Sequence, residues 1–396
     1  MRIGVFLSDV PQWTGGGYTF IHDVAEAMLR YSTESRHQYT LLAPPAYAEK
    51  VRRDGLQTPI NVQPIAPTGF WDRRVSLLKH YLPVAGYLFN RPSRLEFVAR
   101  AAGLDLLWFV GGINETPDMP YVTTVWDVQH LTHPWFPEVS ENWKWDHREL
   151  FYARHFRRAT AIIVGTKVGR SQLVNYYGIP EDRVIILPHP TPAFALRASE
   201  IQLSDHEETA RENTIIYPAQ FWPHKNHVNL LRALKIVISE MDSPPKLVLT
   251  GSELGNHDYI RQCVTELGLS ESVVFRGFVS VDEMVSLYRS ARALVYASFS
   301  GPENLPPLEA FALGCPVAAS NYPGAYEQFE DAALLFDPSD DGDIARAIVQ
   351  ILTDTALRSE LVSKGLARAR RWTAREFVLG LDQFFDRFEA QRRCWP

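Results

Sequence analysis

The sequence predicts an α/β protein built from two doubly wound parallel-sheet domains. Short apolar runs alternate with longer amphipathic stretches along nearly the whole chain, which is the pattern of successive β-α-β units. The alternation lapses once, between Thr191 and Asn213, in the polar, acidic run TPAFALRASEIQLSDHEETAREN, which reads as a linker with a short helix, and then restarts. At 396 residues the chain is also too long for one ordinary core. The expected domains are 1–195 and 196–373, with a last helix, 374–396, packing back on the first.

Composition narrows the class. With 46% hydrophobic and 22% charged residues the chain reads as soluble and globular, and a formal net charge of −6 argues against a nucleic-acid binder. Cys263, Cys315 and Cys394 are widely spaced and form no CxxC, so neither a disulfide framework nor a zinc site is expected. The opening MRIGVFLSDV fits a first strand better than a signal peptide, and no apolar run approaches the ~18 residues of a membrane span. A cytoplasmic protein is expected, with at most peripheral contact at the inner face of the membrane.

Arg2–Ser8 reads as the first strand and Tyr18–Arg30 as a helix burying Ile21, Val24, Ala25 and Met28. Between them lies Gly15-Gly16-Gly17. Glycine there lets backbone approach a ligand and leaves helix N–H groups available, although a flexible turn explains it equally well, and GxGxxG is not present. Tyr39–Ala43 completes the first β-α-β unit. Residues 70–100 interrupt the pattern by interleaving Phe70, Trp71, Tyr81, Tyr87 and Phe89 with Arg73, Arg74, Lys79, Arg91 and Arg94. That content suits a surface meeting anionic lipid head groups or a lipid-linked acceptor, and fits an ordinary helix pair as well. Leu104–Val110 and Tyr121–Trp126 are strands, followed by Asp127, His130 and His133 at the strand end where open α/β sheets place ligands. A loop enforces no metal geometry, so a polar loop facing the substrate is expected and no metal. The Asn142–Arg158 helix and the Ala161–Val164 strand follow.

In the second half, Thr214–Ala219, Lys246–Thr250, Val273–Arg276 and Ala293–Tyr296 are strands, alternating with helices Val228–Ser239, Asp258–Leu267 and Val281–Ser290. Next comes SFSGPENLPPLEAFALGCPVAAS, from Ser298 to Ser320. Gly301, Pro302, Asn304, Pro306 and Pro307 form a loop into a helix, Leu308–Leu313, that stops at Gly314 before the strand Pro316–Ala319. Asp341–Asp354 and Thr355–Arg371 are helices, and Thr373–Arg393 carries a stripe of Phe377, Leu381, Phe384, Phe385 and Phe388. Asp341-Gly342-Asp343 spells a metal-type DxD, but its place ahead of a helix makes capping the expectation.

The chemistry gathers after strand ends. Lys225, in QFWPHKNH, stands just ahead of a helix, where a cation costs ~0.3–1 kcal/mol unless an anion such as phosphate sits there. The entrance to the 308–313 helix is itself an anion site. Glu309, one turn in, either favours the helix N-terminus or accepts hydrogen bonds from sugar hydroxyls; we expect the second, and with it a nucleotide-sugar pocket. GSELGNH and FRGFVS supply two more loops on the same rim.

These residues carry a family resemblance. Lys225-Asn226, VFRGF from Val274 to Phe278 and LPPLEAFALGCPV from Leu305 to Val317 resemble a GT-B glycosyltransferase of the retaining family 4 type, within glycosyltransferase group 1. The resemblance implies two Rossmann-like domains facing a central cleft, the C-terminal one binding a nucleotide-sugar donor and the N-terminal one an acceptor. It implies no metal and no other cofactor. Lys225 would pair with the diphosphate, Glu309 with the ribose hydroxyls, backbone near Phe278 with the base, and the amides of Asn304 and Leu305 with phosphate or sugar. Gly16, Gly17, Gln220, Gly251 and Arg276 complete the expected donor-facing set. The expected activity is transfer of a hexose, mannose or rhamnose, to a glycan or lipid-linked acceptor in surface polysaccharide biosynthesis.

The chain also departs from that pattern. The first acid of the family's Glu-x7-Glu pair would fall at position 301, which is Gly301. Either Glu303 meets the donor sugar instead or backbone donors replace the acid, and we expect the latter. Ala219-Gln220 stands where the family has Gly-Arg, so Lys225 carries more of the diphosphate, aided by His224 or Arg276. Trp126-Asp127 stands where His-Asp is usual; His130 takes over, or Asp127 orients the acceptor alone. A non-catalytic GT-B scaffold, a sugar-nucleotide epimerase and a phosphorylase are the rival readings.

Overall fold

The computed structural model describes residues 1–53, 60–65, 93–112, 115–200, 211–301 and 303–395. Most of the aromatic and basic run at 70–100 lies outside them, as does the middle of the linker stretch. The chain divides into two compact units, one of 1–130, 142–187 and 374–396, the other of 131–141 and 188–373.

In the first unit, β1 (Arg2–Phe6), β2 (Gln38–Ala43), β3 (Asn61–Pro64), β4 (Leu106–Phe109), β5 (Tyr121–Thr124), β6 (Ala161–Val164) and β7 (Val184–Ile186) form one sheet in the order β3-β2-β1-β4-β5-β6-β7. Every pairing is parallel. LLWF, YVTT and AIIV are buried at every residue, the continuous run expected of strands covered on both faces. The edge strand NVQP was not evident in the sequence, because it is short, half exposed and ends in Pro64. The first helix, Gly16–Tyr31, starts at the glycine triplet and buries Ile21, Val24, Ala25 and Met28.

The closing helix, Ala374–Arg392, belongs to this first unit. Its stripe of Phe377, Leu381, Phe384, Phe385 and Phe388 is buried, with Phe377 edge-on to Phe20 at 5.4 Å. Each such side chain contributes ~1.5–3 kcal/mol when fully buried. Polar ties add register: Asp382 accepts from Ser35 Oγ (2.9 Å) and from the Tyr39 hydroxyl, and the N-terminal ammonium pairs with Glu389 at 3.3 Å.

In the second unit, β8 (Glu212–Pro218), β9 (Lys246–Thr250), β10 (Val273–Gly277), β11 (Ala291–Tyr296), β12 (Val317–Ser320) and β13 (Ala333–Phe336) form an all-parallel sheet in the order β10-β9-β8-β11-β12-β13. Strand order reverses between β8 and β11, and the crevice beyond such a switch point is where open α/β sheets bind ligands. The boundary differs from the expected one. Residues 188–195 belong to the second unit: Thr191 N–H donates to the Trp372 carbonyl (3.1 Å) and Trp372 Nε1 to that of Pro188 (2.7 Å). Asp340, rather than Asp341 or Asp343, caps the Asp341–Thr353 helix by accepting from the Gly342 and Asp343 amides, while Asp343 accepts from the Asp337 amide.

Candidate donor site

The loops after β8 and β11 meet at the switch point. After β8 the chain makes a tight turn, Pro223–Lys225, and Asn226 adopts the left-handed conformation (φ 59°) before the His227–Glu240 helix. Asn tolerates that conformation, and here its amide donates to the carbonyls of Ala297 (3.0 Å) and Pro338 (2.8 Å), so the turn is locked from the β11 side. Lys225 Nζ then donates to the Tyr296 hydroxyl (3.0 Å) and to Asn304 Oδ1 (3.1 Å), and Tyr296 donates to the same oxygen at 2.8 Å.

Asn304 is the N-cap residue of the Leu305–Ala312 helix, which takes Pro306 into its first turn. A lysine ammonium 3.1 Å from the cap side chain therefore stands at the positive end of a helix. The two like features repel by ~0.3–1 kcal/mol, and an anion placed between them would turn that cost into attraction. The helix entrance is rigid. Gln328 brackets the Asn304 backbone, accepting from its N–H at 3.0 Å and donating to its carbonyl at 2.7 Å, while Tyr322 donates to the same Gln328 oxygen at 3.0 Å. The Asn304 amide, expected to face the donor, is thus already given to Gln328. Leu305 is buried at the head of the helix.

Glu309 is buried one turn in, and its Oε2 accepts from the Tyr288 hydroxyl at 2.7 Å. Glu303 lies inside the unit: its side chain is 3% exposed, Oε1 accepts from the His189 amide at 2.6 Å, and Oε2 stands 3.7 Å from His189 Nε2. Burial pushes its pKa up to about 8, and burial holds His189 down at about 4. Around the rim, the Gln220 side chain accepts from Trp222 Nε1 (2.7 Å), Arg276 is exposed, and Phe278 is 53% exposed just after β10. Gly251 has φ 149°, and a Cβ there would lie 2.2 Å from the Ala219 carbonyl oxygen, so the loops after β8 and β9 approach as only glycine permits.

In the first unit, Gly16 and Gly17 open the first helix after β1, and the Trp126 ring lies over Gly17, 3.1 Å from where a Cβ would be. Asp127 Oδ1 accepts from Arg148 (2.6 Å) and from the Gln129 amide (2.8 Å). Burial works against the Arg148 guanidinium's charge, but Asp127 and Tyr152 together outweigh it and the net shift is upward. His130 is fully buried, its Nε2 within 3.2 Å of Glu149 and 3.1 Å of the Tyr177 hydroxyl. Burial, then Arg148, lowers its pKa, so it is a neutral member of an internal polar cluster. His133 belongs with the second unit.

The structure thus gathers Lys225, Asn304, Leu305 and Glu309 around one helix entrance, and it adds Tyr296, Tyr288, Gln328 and His189, which sequence reasoning missed. Tyr296 left a weak signal, a hydroxyl at the C-terminal end of an apolar strand. Gln328 left none. Among the described residues no group of three or more His, Cys, Asp or Glu side chains is arranged to hold a metal ion, and no helix is long and apolar enough to cross a membrane.

Residues 199–368 match the family model for glycosyl transferases group 1. The O-antigen chain mannosyltransferase B of Escherichia coli is 29% identical over 261 residues, covering 64% of this chain and 66% of that protein. The serotype-specific mannosyltransferase WbdA of Escherichia coli is 27% identical over 269 residues, 65% of this chain and 33% of that protein. The chain therefore spans less than two thirds of either relative. Anabaena HepE, solved in complex with UDP and glucose, superposes with a TM-score of 0.63 at 18% identity over 98% of this chain and all of that one. The fold is GT-B, with two Rossmann-like parallel-sheet domains.

Proposed function

We propose that this chain, which resembles the GT-B glycosyltransferases of group 1, is a retaining, metal-independent hexosyltransferase. It moves mannose, with rhamnose the alternative, from a nucleotide-sugar donor to a glycan or lipid-linked acceptor in surface polysaccharide biosynthesis. The observation that carries the reading is Lys225 Nζ held at the cap of the Leu305–Ala312 helix, at the switch point of the second sheet. The mannosyltransferase relatives support the sugar, and HepE with UDP and glucose supports a nucleotide-diphosphate donor.

On this reading the leaving diphosphate is the group to be stabilised. Negative charge grows on its bridging oxygen as the sugar departs, and Lys225 with the helix entrance takes up that charge without reorganising, because Tyr296, Asn304 and Gln328 already fix them. The acceptor hydroxyl attacks from the face the diphosphate leaves, so the anomeric configuration is kept. Glu309 receives the ribose hydroxyls, with Tyr288 setting its carboxylate. Asp127, held by Arg148, orients the acceptor, and backbone donors around Gly301 stand in for the absent acid.

Purified protein supplied with GDP-mannose or dTDP-rhamnose and a glycan acceptor tests this. Lys225→Ala and Glu309→Ala are each expected to lower transfer by ~10²–10³ while the protein stays folded, Glu309→Ala at a lower melting temperature because the buried Tyr288 hydroxyl loses its 2.7 Å acceptor. NMR of the product is expected to show the donor's anomeric configuration, and EDTA to leave the rate unchanged. Wild-type turnover in both variants would overturn the site, and failure to bind any nucleotide would favour a scaffold.

A further inference from the structure

Residues 131–141 leave the first half of the chain and pack as part of the second unit. Phe136 lies against His224 and Phe299, each at 6.1 Å between ring centroids. Two residues on, Glu138 Oε1 accepts from both the backbone N–H of His224 (3.0 Å) and its ring Nδ1 (2.6 Å). An ionised carboxylate only accepts, so the ring proton in this contact is on Nδ1. The His224 carbonyl accepts in turn from the Phe299 amide (2.8 Å) and Ser298 Oγ (3.4 Å). The Pro223–Lys225 turn is thus gripped from both sides.

A buried carboxylate is a costly way to anchor a loop that Phe136 already anchors. The side chains of His224 and Glu138 are 13% and 7% exposed, and desolvating such a pair consumes much of its attraction. Burial pushes the Glu138 pKa up, yet the hydrogen bonds it accepts, from the His224 ring first and then from the backbone N–H groups of Glu138 and His224, together outweigh it and hold the group below the usual carboxylate range. A charge kept ionised there makes sense if the turn's geometry matters to function.

We propose that Glu138 is a positioning residue for the donor diphosphate: through His224 it fixes the turn from which Lys225 reaches Asn304. The proposal rests on reading Lys225 as the diphosphate cation. Neither residue is required to touch the donor.

The test titrates the full chain with GDP and with UDP, without sugar. Glu138→Ala is expected to weaken the better-bound nucleotide about tenfold or more, and Glu138→Gln, which keeps shape and acceptor but not charge, about three- to fivefold. The Gln variant's unliganded melting temperature is expected to stay within about 2 °C of wild type, so that affinity falls without the loss of stability that mere loop anchoring would give. His224→Gln should lose a similar factor, and the Glu138→Gln/His224→Gln double variant no more than the larger single loss, because the two act as one unit. Where a sugar donor turns over, kcat should fall along with kcat/KM, because the displaced Lys225 also takes up charge that grows in the transition state. Wild-type affinity in Glu138→Gln and His224→Gln, or losses that multiply in the double variant, would overturn the proposal. Should wild type bind neither nucleotide, the donor reading itself fails. Affinity lost in Lys225→Ala but kept in the Glu138 variants refutes the positioning role alone.

Discussion

At position 301 the backbone has φ 119°, and a Cβ would come within 2.9 Å of the Asn304 side-chain nitrogen, which donates to the Gly301 carbonyl at 3.2 Å. The acid expected there is therefore excluded by this loop as well as absent from it. Gly301→Glu is expected to destabilise by ~1–3 kcal/mol and to lower transfer rather than raise it, as read by thermal melting and a turnover assay. Glu303 carries a separate, pH-dependent signature. Its folded pKa, about 8, lies above the ordinary 4.5, so between those values the folded state binds the proton that the unfolded state has released. That contribution is greatest below the ordinary value and is lost as pH rises toward 8, by at most about 1.4 kcal/mol per unit. Glu303→Gln should abolish this slope, so melting temperatures taken from pH 5 to pH 8 should show the variant gaining on wild type as pH rises.

The element that matters most is the Leu305–Ala312 helix with its entrance loop. Its N-terminus is held by Gln328, a residue on the short Ala325–Phe329 helix, which pairs with both backbone groups of Asn304. Gln328→Leu would leave a buried N–H and a buried carbonyl without their partner, at ~1–3 kcal/mol for each group left unsatisfied. The expected result is a lower melting temperature together with a smaller stabilisation by added nucleotide, because the anion site loses its rigid frame. A variant with wild-type nucleotide stabilisation would show that Gln328 serves the fold alone.

For the whole molecule, the helix Ala374–Arg392 is the last element of the chain but packs in the unit formed by the first half. Ending the chain at Thr373 would uncover the hydrophobic faces that Phe377, Leu381 and Phe385 bury, together with the partners of Tyr39 and the N-terminal ammonium. Hydrogen exchange is expected to show protection lost in the β1–β7 sheet and retained in the β8–β13 sheet. Equal loss in both units would show that they do not fold separately.

The periodicity of apolar residues determined most of the elements, because a strand covered on both faces must read as a continuous apolar run and a covered helix as a stripe. Lys225, Asn304 and Glu309 were legible for a related reason: Pro, Gly and Asn mark where strands end, and in a doubly wound sheet those ends are where ligands bind. What stayed hidden depends on contacts between residues far apart in sequence. Gln328 on Asn304, His189 on Glu303 and Glu138 on His224 each join side chains whose own neighbours give no hint of a partner. His130 looked like a loop residue facing substrate and is fully buried, because the Lys144–Arg158 and Lys167–Tyr177 helices bring Glu149 and Tyr177 against it. Local sequence sets backbone preference and burial pattern, so it determined the central strands of the two sheets and the rim, but not the edge strands Asn61–Pro64 and Ala333–Phe336. Which polar groups meet on that rim is set by packing across the chain, and only the tertiary structure decided it.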